Sequence, residues 1–110
     1  MVNKYGLPED KLKEIRERDQ QCVYCGEEFE DPKTGGSYCK QATIEHLNFE
    51  KPWNNPETVA YCCRSCNSSR RDKKLEYWFK KPYCTNRRKP INEETVADPV
   101  KDYIRSHPIY

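Results

Sequence analysis

Ala42-Thr43-Ile44-Glu45-His46-Leu47, read together with Cys63-Arg64-Ser65-Cys66-Asn67, is the part of the sequence that decides the fold. Thr43 and Ile44 favour extended backbone, so a strand is expected over 43–47, ending on a carboxylate beside an imidazole. The second stretch is a two-cysteine knuckle followed by a neutral oxygen donor. A matching knuckle, Cys22-Val23-Tyr24-Cys25, lies upstream, with Gly26 relieving its turn. One C-x-x-C alone fits a redox pair, but two in one chain point to a shared metal, and four cysteines suit zinc. Between Cys25 and Cys63 lie 37 residues. A compact zinc ribbon needs fewer, so an inserted element is expected there.

Composition agrees with a metal staple. The chain has 110 residues, 35% apolar and 35% charged. That length reads as a single domain over 1–110, with little apolar material for its core. Small domains in this position commonly rely on disulfides or a metal. No apolar run approaches the roughly 20 residues of a membrane span, and the mostly charged opening shows no signal-peptide pattern. A cytoplasmic setting without membrane contact is the expectation, and there cysteines serve as metal ligands more often than as disulfides. Charge is unevenly placed. Residues 64–89 carry ten Lys or Arg against Asp72 and Glu76, a local +8 within a net charge of +2. Such a block suits a polyanion surface, with a solvated helix face as the bland reading.

The remaining elements follow from local signals. A helix is expected over 8–19, with Pro8 at its first position, Glu9 and Asp10 in the first turn, and Leu12 and Ile15 on one face. Glu14–Arg18 and Lys13–Glu17 have the spacing of helix-surface ion pairs. Residues 27–38 read as a surface loop or irregular hairpin and 49–56 as a loop. A second strand is expected over 58–62 and a helix over 64–74. Leu75 to Phe79 is an aromatic cluster suited to core packing, ended by Pro82. A last helix over 99–106, capped by Asp98, carries Val100, Tyr103 and Ile104. Cys39, Cys62 and Cys84 are spare and expected as buried thiols. His107 has no partner motif.

The ordered set Cys-x-x-Cys, acid-His, Cys-x-x-Cys-Asn resembles the HNH endonuclease family over about residues 22–75. The resemblance implies a small, zinc-stabilised α+β domain with a ββα-metal core, flanked here by N- and C-terminal helices. It implies a structural Zn²⁺ on Cys22, Cys25, Cys63 and Cys66. It implies His46 as general base, with Glu45 and Asn67 holding a catalytic Mg²⁺ or Mn²⁺, and DNA as the substrate, cut to 5′-phosphate and 3′-hydroxyl ends. At the family's middle position, usually asparagine, this chain has Thr58, with Asn54 or Asn55 in the preceding loop as possible substitutes. Residues 1–21 and 76–110 carry no family signal.

The chemistry stands on its own terms as well. A neutral imidazole accepts a proton from water near physiological pH. A carboxylate and an amide oxygen are hard ligands suited to Mg²⁺ or Mn²⁺. Adjacent strand residues point to opposite faces, so Glu45 and His46 converge on one phosphate only if the backbone bends at the strand end. Arg64, Arg70, Arg71, Lys73 and Lys74 are the expected phosphate contacts, with Arg70 or Arg71 nearest the scissile group. The alternative of a different class is a zinc-stabilised nucleic-acid-binding module without cleavage. A protein-interaction zinc module is weaker, since it calls for neither Glu45-His46 nor the basic block. A single site on so small a domain fits a nicking monomer or a cutting homodimer.

Overall fold

Pro8 caps the first helix, α1 (Glu9–Arg18), from an extended conformation one residue before its start. The structure, a computed structural model, describes residues 7–48 and 56–107; Asn54 and Asn55 lie outside the described residues. Acidic Glu9 and Asp10 open α1 and basic Arg16 and Arg18 close it, as the helix dipole favours. Leu12 and Ile15 are buried, as their spacing predicts. Arg18 binds not Glu14 but its neighbour Asp19, through hydrogen bonds of 2.7 and 2.9 Å. The same carboxylate accepts the Tyr61 backbone N–H at 2.9 Å. Asp19 is thereby buried and ties the end of α1 to the sheet.

Strand β1 (Ala42–His46) pairs antiparallel with β2 (Val59–Cys63), from Ala42↔Cys63 to His46↔Val59. Both bounds fall one residue from the sequence expectation. β2 is buried on both faces, with Val59, Ala60, Cys62 and Cys63 all covered. Leu7, Leu12, Ile15, Val59, Ile44 and Tyr61 pack together where α1 meets the sheet. The larger core joins Ala60 and Cys62 to both cysteine knuckles, Leu47, Trp78 and Val100. The short sheet therefore divides two cores, which is why a strand of five residues is almost wholly buried.

Cys63 ends β2 and caps helix α2 (Arg64–Arg70), its sulfur accepting the Cys66 N–H. The helix stops well before Lys74. Short helices follow: α3 (Leu75–Trp78) and α4 (Pro82–Thr85). Pro82 starts a helix as well as separating it from α3. The last, α5 (Asp98–Ser106), is capped by Ala97, so Asp98 lies inside its first turn. Trp78 is fully buried, edge-on to Tyr24 at 4.9 Å, with its indole N–H on Ser69 Oγ at 2.9 Å. Leu75, Trp78 and Phe79 of the aromatic cluster are thus core, whereas Tyr77 is exposed. Cys62 and Cys84 are buried as expected, but Cys39 is exposed. His107 stacks on Tyr103 at 4.1 Å. Among the described residues, no helix is long and apolar enough to cross a membrane.

Arg71 terminates α2 at φ 53° and ψ −122°, a conformation that suits glycine. Such a non-glycine residue stores roughly 1–3 kcal/mol of strain, while the entropy glycine adds to the unfolded chain costs about 0.4–1 kcal/mol. Arg71→Gly is therefore expected to stabilise the fold by about 1 kcal/mol. A chemical-denaturation midpoint that falls would reverse that sign.

Candidate functional site

The two knuckles meet at the junction of β2 and α2. The sulfur atoms of Cys22, Cys25, Cys63 and Cys66 lie within 4.8 Å of one another, and all four residues are buried. Cys25 Sγ and Cys63 Sγ are 3.9 Å apart. A tetrahedron with Zn–S bonds of about 2.3 Å has edges of about 3.8 Å, so the cluster has the size of a zinc site. The Cys25 N–H points at Cys22 Sγ at 3.5 Å, and the Cys66 N–H at Cys63 Sγ at 3.4 Å. Tyr83 adds its hydroxyl to Cys66 Sγ at 3.3 Å. Gly26 closes the first knuckle at φ +77°, and a Cβ there would meet Lys89 Nζ at 3.1 Å.

Electrostatics favour the same conclusion. Hydrogen bonding from Cys22 holds the Cys25 and Cys63 thiols below their usual range, while Cys22 and Cys66 are pushed up by sharing protons with the others. Four sulfurs crowded around one centre cannot all ionise together unless a cation neutralises them, since each thiolate opposes the next. Soft thiolates in a tetrahedral set select zinc over hard cations. The cluster can hold a metal ion such as zinc.

The second expected constellation is arranged differently. Glu45 is 4% exposed. Its Oε2 accepts the Tyr24 hydroxyl at 2.6 Å and Arg70 Nη1 at 3.3 Å. Burial pushes the Glu45 carboxyl up, against the pull of Arg70 and Tyr24. Asn67 donates Nδ2 to Thr43 Oγ1 at 3.0 Å and to the Ile44 carbonyl at 3.1 Å. A carbonyl only accepts, so the amide nitrogen must face the strand, leaving Oδ1 as the atom for another partner. His46 is half-buried at the end of β1, with Nε2 shielded from solvent. The backbone stays in register through His46↔Val59, and Leu47 N–H reaches the Thr58 carbonyl at 2.8 Å. No bend interrupts the ladder, so alternation sends Glu45 and His46 to opposite faces. The expected convergence of Glu45 and His46 on one phosphate is thereby corrected: Glu45 is held by an arginine, on the other side of the strand from the imidazole. Thr58 is buried in a single 3-10 turn, Pro56–Thr58, immediately before β2.

The basic residues separate into two kinds. Arg70 is 1% exposed, and its guanidinium is spent on internal acceptors. It cannot contact a phosphate from there, which corrects the expectation for it. The signal was legible: Cys63, Cys66 and Arg70 follow i, i+3, i+7 spacing, which places Arg70 on the face of α2 that carries the metal cysteines. Arg71 and Lys74 are exposed. Lys73 is half-buried with Nζ on the Ser69 carbonyl at 2.9 Å. Arg64 lies over the Tyr38 ring at 4.3 Å and donates to Gln41 at 2.9 Å. Tyr24 and Asp19 carry contacts that no spacing in the sequence announces.

Fold and site together define a small α+β domain, with a two-stranded sheet and a four-cysteine cluster suited to a metal. No family model matches the sequence, and neither a curated protein nor a solved structure is similar to it.

Proposed function

We propose that the chain is an HNH-type endonuclease that hydrolyses DNA phosphodiester bonds, with His46 as general base and a structural Zn²⁺ on the four cysteines. The observation that supports this reading is the course of the backbone. β1 and β2 pair antiparallel and run directly into α2, and the cysteine cluster fastens that junction. His46 stands at the end of the first strand and Asn67 in the first turn of the helix, joined to the same strand two residues away.

The chain's own groups then divide the work. His46, at the end of β1, is the group that would take a proton from the attacking water. Exposed Arg71 and Lys74 follow α2 and offer charge to the DNA backbone. The divalent ion that the resemblance assigns to Glu45 and Asn67 does not fit this donor set. The Glu45 carboxylate is buried and already paired with a cation.

The Glu45–Arg70 pair favours one other reading, a zinc-stabilised nucleic-acid-binding module without cleavage. Supercoiled plasmid incubated with Mg²⁺ or Mn²⁺, and with a chelator, separates the two. DNA that is bound but left intact selects the module.

Both readings place DNA on the exposed cations. Alanine at Arg71 or at Lys74 is expected to weaken binding and to flatten the slope of log affinity against log salt by about one unit each. Unchanged affinity and slope in both variants would reduce the block to a solvated face.

A further inference from the structure

The Arg70 guanidinium sits in an all-oxygen cage. Nη1 donates to the His46 carbonyl at 2.8 Å and to Glu45 Oε2 at 3.3 Å. Nη2 donates to the Leu47 carbonyl at 2.8 Å, and Nε to the Lys73 carbonyl at 2.6 Å. One carboxylate and three carbonyls are the ligands that hard divalent cations use. Here they come from the end of β1 and from the turn after α2, and an arginine fills the space they enclose. Tyr24 adds its hydroxyl to the carboxylate from the first knuckle. A planar fork satisfies several fixed carbonyls at once, as a single ammonium cannot.

We propose that Arg70 is the resident cation of this oxygen cage: it neutralises Glu45, fixes the strand end that bears His46, and closes the carboxylate to divalent ions. A divalent ion entering beside Glu45 would have to displace a buried positive charge and strip four hydrogen bonds. The carboxylate that looks most like a metal ligand in the sequence is thus a structural counter-ion. The inference deepens the reading of the same site but does not require cleavage to occur.

The test uses the zinc-loaded, full-length chain and Mn²⁺ as probe. In ¹⁵N spectra of the wild type, Arg70 Nε–H should be a slowly exchanging, resolved signal, unchanged on adding Mn²⁺. The Glu45 and Tyr24 amides should be broadened no earlier than the rest of the chain. Arg70→Ser should gain one Mn²⁺ site per chain, seen as loss of the free-ion electron-spin signal, and Arg70→Ser combined with Glu45→Gln should lose it again. If Arg70→Ser fails to fold, the wild-type spectra decide alone. Selective broadening at Glu45, with loss of the Arg70 signal, overturns the proposal, as does a folded Arg70→Ser that gains no site. Plasmid cleavage is read separately, so intact plasmid sinks the endonuclease reading and leaves the Mn²⁺ result standing.

Discussion

Removing the metal from the four-cysteine cluster is expected to unfold the chain. The four cysteines belong to the same buried core as Val23, Tyr24, Trp78 and Val100. Without an ion, that core has four mutually interacting thiols at its centre. Metal binding by such sets contributes about 10–16 kcal/mol of apparent free energy near neutral pH. Whole domains are stable by only about 5–15 kcal/mol. The comparison decides the outcome: the ion's contribution equals or exceeds the stability available. Cys66→Ser should have the same effect, since Cys66 is fully buried and also takes the Tyr83 hydroxyl. Protons compete with the ion for the sulfurs, so the loaded chain should lose ion and fold together as pH falls. Elemental analysis should find one zinc per folded chain. Circular dichroism before and after a strong chelator is the direct measurement. An apo chain that keeps its spectrum and melting temperature would show that apolar packing alone suffices.

The second large effect concerns His46. His46→Ala is expected to lower cleavage by roughly 10²–10⁴-fold, the usual worth of a positioned general base, while zinc content, fold and DNA affinity stay as they are. The structure explains why the variant should fold. His46 gives the neighbouring scaffold its backbone carbonyl, which Arg70 binds at 2.8 Å, and alanine keeps that contact. Glu45→Ala should behave in the opposite way. It strands the Arg70 charge in the interior, at a cost of about 3–5 kcal/mol. Its loss of activity would thus come through the fold and would not be rescued by excess Mn²⁺. Plasmid cleavage, product-end analysis for 5′-phosphates, and thermal melts on the same three proteins make the comparison. Wild-type cleavage by His46→Ala would remove the base assignment.

The sequence by itself determined what depends on short spacing. Two residues between cysteines fix a knuckle whatever surrounds it. An apolar pair at Leu12 and Ile15, with acids before and bases after, fixes α1. The strands were found to within one residue because β-branched residues and the start of the cysteine knuckle bracket them. The buried position of Arg70 could have been read from its helical spacing to Cys63 and Cys66. Tertiary structure alone decided what depends on parity and crossing. A ladder that continues without a bend through His46 sends Glu45 to the face opposite the imidazole, and no composition or spacing reveals whether a strand bends. The way α2 crosses that strand then brings Arg70, 25 positions away from Glu45, to its carboxylate. Asp19 joins Tyr61 by the same kind of long-range contact, across 42 positions. A carboxylate has the same formula as metal ligand or as counter-ion, and only the cation that the fold brings beside it settles which.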